Sequence, residues 1–564
     1  MKKFLLILAL ASGSNIMAQN DGGNITGNLE STFQYLRTDT LIDANQPPSK
    51  ALINSYMNIF YTKGKFSAGA RVESYLPRIQ GYPDRFSGTG IGFRYVGYKT
   101  DFIDLTIGNF YEQFGSGMIF RSYEQRALGY DNAMDGLRLK LNPYRGIRIK
   151  GFWGKQRLSF TEGKVINSAG LVRGFDGEIH FNQTFEKMRK FPLDIKLGGQ
   201  FVSKFQADDN DELILPENVG AYGARLALRY KGFYLNGEYN IKENDPSSDN
   251  GYIYNNGYAA LVNLGYSRRG LGIVLSAKST DNMSYRSDRT KDLQDALINF
   301  LPPTNKTHTY NLVATLYPYA TQVLGEVGYQ ADIIYTVPRK SFLGGKYGMP
   351  INVNYSIIQG SQKNYNGVSA QDSAQRLRPY SSTPFVASSE NYWHDFNVQI
   401  KRKFNKRFYT IFSYYNILIN NDVIKVTGDA TGKINSHIGV VEMGYKINRK
   451  HSLRAEFQTL FVNEGKNKTT GEIEPKDKGN WATALIEYNV SPNWFVSVMD
   501  QYNYGNPEES NRIHYIVGSV GYINGATRLM ATYGRQRAGL FCVGGVCRFV
   551  PASNGLTVTI TQSF

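Results

Sequence analysis

The chain reads as an all-β protein: a transmembrane, antiparallel, up-and-down β-barrel of about 24–26 strands, with long extracellular loops and short periplasmic turns. Three observations predict this. An export signal opens the chain. Segments of about ten residues alternate apolar and polar side chains. The connections between them switch between very short and long. The 564 residues carry 64 Lys and Arg against 47 Asp and Glu, a formal net charge of +17, with 41% apolar and 13% aromatic residues. That composition excludes a disordered chain. Two cysteines exclude a disulfide scaffold or a four-cysteine zinc site. No composition shift or linker divides the chain, so a single barrel domain, residues 19–564, follows a signal peptide at 1–18.

The signal is read from Lys2 and Lys3, the apolar run 4–11, and Ser12, Gly13, Ser14 and Ala18 leading into Gln19. This is the layout of a secretory peptide cleaved after Ala18, and no cysteine stands nearby to carry a lipid anchor. No later stretch reaches the roughly 18–20 apolar residues of a spanning helix. Strands are therefore the way across a membrane, and the expected location is the outer membrane.

The final segment shows the strand pattern most cleanly. Leu556, Val558, Ile560 and Phe564 alternate with Thr557, Thr559, Thr561 and Ser563. Successive side chains point to opposite faces, so one face is greasy and the other wettable. The same split sets Leu137, Leu139 and Leu141 against Arg138, Lys140 and Asn142, and Leu226, Leu228 and Tyr230 against Arg225 and Arg229. A soluble sandwich also alternates, but it has no reason to sort its connections by length. Short turns at Lys63-Gly64-Lys65, Pro143-Tyr144, Tyr230-Lys231-Gly232, Arg268-Arg269-Gly270 and Ser491-Pro492-Asn493 alternate with long polar stretches at 37–49, 206–217, 281–307, 360–389 and 463–478. The terminal aromatic, Phe564, is the carboxy-terminal strand signal of such a barrel. About 25 segments can be marked, whereas single-chain bacterial barrels have an even number. Up-down parity fails between Gln322 and Tyr392, where a strand is hidden or one segment is spurious.

A ring this wide encloses a lumen that wall side chains cannot fill. The segment 108–136 is the candidate for filling it: its glycines permit tight turns, and it mixes aromatics with Glu112, Arg121, Glu124, Arg126, Asp131 and Asp135. It is read as a loop folded inward to constrict the lumen, with an ordinary surface loop as the alternative. Alternation assigns Arg138, Lys140, Arg148, Lys150, Lys196, Lys204, Arg225 and Arg229 to the lumen wall, against Asp176, Glu178 and Asp194. That excess of cations either attracts anionic solutes or pairs with Glu112, Glu124, Asp131 and Asp135 and holds the loop. Both readings stay open at this level.

Two further motifs are local. Gly88-Thr89-Gly90-Ile91-Gly92 runs into Phe93-Arg94-Tyr95-Val96 rather than a helix, so it is no phosphate loop. Glycines two apart on one face let something pack close to the wall. Cys542-Val543-Gly544-Gly545-Val546-Cys547 suits a hairpin with a Gly-Gly turn. Its cysteines then face each other within disulfide range, and an oxidising compartment favours the bond. Cys542 and Cys547 are read as a staple in the last external loop, with a thiol redox motif as the alternative, although the spacing is not Cys-x-x-Cys.

Enzymatic signals are thin. The six histidines are scattered, with no HExxH, and no serine sits in a Gly-x-Ser-x-Gly turn. No enzyme activity, metal or cofactor is expected, and a membrane-embedded hydrolase assembled from distant strands is the minor alternative. Positive charge is spread over the chain rather than clustered on a module, which argues against nucleic acid and suits lipid phosphates.

The block GNFYEQFGSGMIFRSYEQRALGYDNAMDG (108–136), the stretch Leu316-Tyr317-Pro318-Tyr319-Ala320-Thr321 with Gly344-Gly345-Lys346-Tyr347-Gly348, and the ending CVGGVCRFVPASNG resemble blocks in large outer-membrane β-barrel proteins of Bacteroidota whose function is uncharacterised. The resemblance runs along the mature chain. It implies location and architecture and supplies no substrate, catalytic residue or cofactor. The function read from the residues is a channel or transport-related component with a polar, locally basic lumen. The alternative is a sealed barrel serving as a surface platform for lipoproteins or secreted proteins. A TonB-coupled transporter, which carries a globular plug before its first strand, is disfavoured because alternation starts near Asn24. Expected partners are outer-membrane lipid and lipopolysaccharide, the barrel-assembly machinery, and a surface lipoprotein or secretion partner.

Overall fold

Period-two segments that must satisfy every backbone hydrogen bond without water close into a ring, and the computed structural model of the chain is such a ring. It describes residues 22–365, 380–424, 432–466, 473–543 and 546–564. The export segment 1–18 and the Gly544-Gly545 turn lie outside the described residues. Twenty-four strands make one antiparallel sheet, each paired with its neighbour in sequence. The first six are β1 (Asn24–Arg37), β2 (Ala51–Lys63), β3 (Phe66–Tyr75), β4 (Gly88–Lys99), β5 (Ile103–Phe110) and β6 (Met134–Tyr144). Next come β7 (Ile147–Thr161), β8 (Lys164–His180), β9 (Leu193–Phe205), β10 (Asn218–Tyr230), β11 (Phe233–Lys242) and β12 (Gly257–Arg268). The third quarter holds β13 (Leu271–Asp281), β14 (Gly325–Val337), β15 (Met349–Asn364), β16 (Ser381–Lys403), β17 (Phe408–Asn420) and β18 (Lys433–Lys446). The last are β19 (His451–Val462), β20 (Trp481–Val490), β21 (Trp494–Tyr502), β22 (His514–Asn524), β23 (Thr527–Gln536) and β24 (Ser553–Ser563).

The ring closes where β1 pairs with β24, from Asn28 opposite Ser563 to Arg37 opposite Asn554. Closure leaves no unpaired edge. Phe564 completes the seam: its N–H donates to the Gly27 carbonyl and its carbonyl accepts from the Gly27 N–H, both at 2.9 Å. Its ring lies on Gly27, where a Cβ would come within 2.5 Å of the ring Cζ. The outer wall is apolar and exposed, with Leu137, Trp153, Leu197, Phe412, Ile486 and Ile516 standing free of protein contact across much of their surface.

One rim carries mostly short turns, with 181–192 and 338–348 as longer exceptions, and the other mostly long connections, with the two-residue turn Glu162-Gly163 as its exception. Three assignments from sequence change. Pro143 and Tyr144 belong to β6, because the pairing register shifts between Leu141 and Tyr144 and lengthens the strand. Residues 360–364 and 381–389, read as part of a long loop, are strand in β15 and β16, whose pairing is broken by three register shifts. The count is 24 and even, and the stretch 322–392, where parity failed, holds β14, β15 and the first part of the 23-residue β16.

The apolar core lies inside the lumen. Phe114, Met118, Ile119 and Phe120 of the 111–133 connection are fully buried against Phe152, Val172, Val202 and Ala221 of the wall. Tyr310, Leu312, Val313 and Tyr317 of the 282–324 connection are buried against Trp393, Ile417, Ile438, Leu460 and Trp481. Full burial of one such side chain contributes about 1.5–3 kcal/mol, so the inner wall near the long-loop rim is apolar where a loop covers it.

Candidate functional site: a lumen filled by two loops

The first loop is anchored by Glu112, just past the end of β5. Lys140 Nζ lies 2.5 Å from Glu112 Oε2 and Lys150 Nζ 3.2 Å from Oε1, with Arg138 Nη1 at 3.9 Å. Arg138 also donates to Asp104 at 3.1 Å and Thr106 at 2.8 Å. Burial pushes the Glu112 carboxyl up, but the ammonium groups of Lys140 and Lys150 outweigh it and hold the group below its ordinary value. At the loop tip the Ser116 N–H donates to Glu238 Oε2 at 2.8 Å, and Gln200 donates to the other Glu238 oxygen at 2.8 Å.

The returning half of the loop places the expected Glu124, Arg126 and Asp131 in a network whose other members, Arg71, Glu73 and Arg157, the sequence reading does not single out. Arg157, entirely buried, places Nη2 2.7 Å from Glu73 and Nη1 2.8 Å from Asp131. Arg71 reaches Glu73 at 2.7 Å, Asp131 at 2.6 Å and Glu124 at 3.0 Å. Arg126 bridges Glu124 at 2.9 Å and Glu30 at 2.7 Å, its guanidinium 4.3 Å over the Tyr56 ring. Burial, reinforced by the nearby Asp131 charge, raises the Glu124 carboxyl above its ordinary value despite Arg71 and Arg126. Arg121 lies 4.2 Å over both Tyr123 and Phe300, and its N–H donates to the Ile298 carbonyl at 2.8 Å, which ties the first loop to the second.

The remaining wall cations divide. Arg225 pairs with Asp176 at 2.5 Å and Glu178 at 3.5 Å, and Lys204 with Asp245 at 2.6 Å. Arg148, Lys196 and Arg229, toward the short-turn rim, form no ion pair among the described residues. Asp135 is not in the lumen: it takes the outward row of β6 with the exposed Leu137, and its carboxylate lies 3.5 Å from Arg94. The strand begins at Met134, so alternation already governs Asp135.

The second loop, 282–324, is the larger filling, although its first half, 281–307, reads from sequence as an external polar stretch. Gln156 donates to the Leu297 carbonyl at 2.6 Å, and Asn299 donates to the carbonyls of Met118 at 3.0 Å and Met283 at 2.8 Å. Lys278 pairs with Glu326, which also accepts from Tyr319. Further on, His308 meets Asp395 at 2.7 Å, Tyr310 donates to Glu442 at 3.2 Å, and the Leu312 N–H donates to Gln458 at 3.0 Å.

Two smaller features press on the same space. The turn at Glu162-Gly163 lies against Gly88 and Gly90, where a Cβ on Gly90 would come 2.0 Å from the Gly163 carbonyl oxygen. Cys542 and Cys547 form a disulfide, their Cα atoms 4.0 Å apart, with Val543 opposite Val546. This hairpin, Gly539–Val543 with Val546–Val550, rests on the Arg126–Leu128 turn of the first loop and on the short helix Asn311–Thr315 of the second. Arg548 within it donates to the Gly81 carbonyl.

The six histidines partner Asp194, Asp395, Asn416, Tyr414, Tyr488 and Asp500, and none bonds a serine hydroxyl among the described residues. No cluster of three or more metal-ligating side chains occurs among them either.

The whole chain, residues 1–564, matches DUF6029, a family of unknown function, and the protein belongs to that family. No curated protein matches the sequence. Among solved structures the chain is similar to the translocation pore of the P pilus usher PapC, at 9% identity over 96% of this chain and 99% of that one, with a TM-score of 0.44. It is similar to the copper transporter OprC at 10% identity, covering 96% and 80%, TM-score 0.42. The siderophore receptor PirA from Pseudomonas aeruginosa gives 9%, 96%, 80% and 0.39. These are likenesses of barrel architecture, and nothing about function is drawn from them.

Proposed function

We propose that this member of a family without an assigned function is a transport-related outer-membrane barrel whose lumen is closed at rest by its own two in-folded loops. One observation carries the reading: both loops are bonded to the inner wall and to each other through buried groups, with Asn299 bridging Met118 and Met283. The closed ring and its exposed apolar wall support the outer membrane, with residues 1–18 read as the export signal. By the lengths of its connections, the long-loop rim is read as the external one. The first loop is held by ion pairs and hydrogen bonds at Glu112 and Ser116 and by the buried Phe114, Met118, Ile119 and Phe120 between them. Arg148, Lys196 and Arg229 line the inner vestibule on the short-turn side and favour anionic solutes there.

A sealed surface platform is the second reading, favoured by the two apolar clusters that fill the lumen. Planar-bilayer recording separates them. The conduit reading predicts a silent native protein and anion-selective openings once the first loop is unclamped by Glu112→Gln with Glu238→Gln. A native protein that conducts steadily contradicts closure. An unclamped variant that stays silent, with a surface protein co-purifying at one-to-one stoichiometry, makes the barrel a platform.

A further inference from the structure

The net charge of the chain is sorted by rim. Three successive connections of the short-turn rim, 338–348 between β14 and β15, 404–407 between β16 and β17, and 447–450 between β18 and β19, hold seven Lys and Arg and no Asp or Glu. On the opposite rim the connections 206–217 and 243–256 hold eight Asp and Glu and no Lys or Arg. The basic turns also share a construction. Phe404-Asn405-Lys406-Arg407 and Ile447-Asn448-Arg449-Lys450 each set an exposed apolar residue, an asparagine and a dibasic pair in that order. In both, the asparagine Oδ1 accepts from the second cation's N–H, at 2.7 Å for Arg407 and 2.8 Å for Lys450. It also accepts from the following N–H, at 2.9 Å for Phe408 and 3.0 Å for His451.

The third turn reaches the same result by another route. Lys340 N–H to Gly345 carbonyl at 2.6 Å and Gly348 N–H to Gly344 carbonyl at 2.8 Å fix a knuckle. The knuckle presents Phe342 at 98% exposure beside Arg339 and Lys340. None of these turn cations makes an ion pair among the described residues.

We infer that these three turns form a docking surface for anionic glycerophospholipid headgroups in the leaflet at the short-turn rim. The surface is continuous with the apolar outer wall. Rigid turns that hold paired cations next to exposed Phe342, Phe404 and Ile447 match a layer in which phosphate lies just above acyl chains. Charge complementarity selects the occupant, because unpaired cations attract a phosphate layer, repel a basic surface and gain no Coulomb energy at a neutral one. The inference rests on the barrel spanning a membrane and not on what the lumen conducts, so the bilayer recordings above leave it untouched.

The test uses the full-length protein purified in mild detergent. It is offered equal amounts of phosphatidylglycerol, phosphatidylcholine and lipid A, and the retained lipid is counted by native mass spectrometry. Each cation near an anionic surface contributes roughly five-fold, so the expected preference for phosphatidylglycerol over phosphatidylcholine is at least about tenfold. It should fall to about threefold or less when Arg339, Lys340, Lys406, Arg407, Arg449 and Lys450 are all changed to Gln. A variant exchanging lysine for arginine at the same positions should keep the preference, and a heat-dependent gel shift confirms that each variant is folded. Equal retention of the two phospholipids, a preference unchanged in the glutamine variant, or stronger retention of lipid A overturns the inference. Stoichiometric binding of an acidic protein at these turns without lipid preference overturns it too.

Discussion

Arg157 holds two carboxylates, Glu73 and Asp131, from a fully buried position, and shares both with Arg71. Arg157→Met leaves the two carboxylates sharing Arg71, a loss expected toward the lower end of about 3–5 kcal/mol. It should appear as a lower temperature for the unfolding shift on gels. Arg157→Lys recovers only part, because an ammonium cannot present two parallel donors. Glu112 gives a pH prediction. Its carboxyl titrates below the ordinary 4.5, so the clamp's stability is fully present above that value and is lost as pH falls through the lowered one. Hydrogen exchange in 111–133 should therefore rise as pH falls through the lowered value, and Glu112→Gln should exchange fast at every pH. The cluster around Glu112 was legible in sequence because Arg138, Lys140 and Lys150 share one row of two adjacent strands. Arg157 was not, because the β7–β8 pairing shifts register near it and its side chain no longer follows the row of Arg148 and Lys150.

Of the two loops, 111–133 could be read as inward from its glycines and mixed aromatics and charges, whereas 282–324 could not. Its first residues, including Ser284, Arg286, Ser287 and Asp288, look like a solvated loop, yet each is buried and bonded. Polarity reports that a group needs partners and does not say whether water or protein supplies them. The disulfide was legible from the Cys spacing, but the loops under its hairpin are distant in sequence and left no local signal. Replacing Cys542 and Cys547 by Ser should change global stability little, since the bond closes a short loop. The same variant should raise hydrogen exchange in 126–128 and 311–315, beneath the hairpin. Unchanged exchange there would mean that the hairpin does not press on the loops.

At the scale of the molecule, the barrel was legible because two solvents impose a period of two on the wall, as in β24. The filled lumen weakens that signal on the long-loop half. In β17, Tyr415, Ile417 and Ile419 are buried inward while Phe412 and Tyr414 are exposed outward, so both faces are apolar. The basic charge spread along the chain includes seven Lys and Arg gathered in three turns of one rim, a grouping that only the order of the strands around the ring reveals. The central claim is that this ring encloses its own loops. Ser287 Oγ lies 2.5 Å from Gln156 Oε1, joining the second loop to β7 inside the lumen. The direct measurement is a Gln156→Cys, Ser287→Cys pair in a chain lacking Cys542 and Cys547, assayed in intact cells. A spontaneous disulfide that shields both thiols from a bulky maleimide is the predicted result. Two free, freely labelled thiols would put the loop outside and contradict the account.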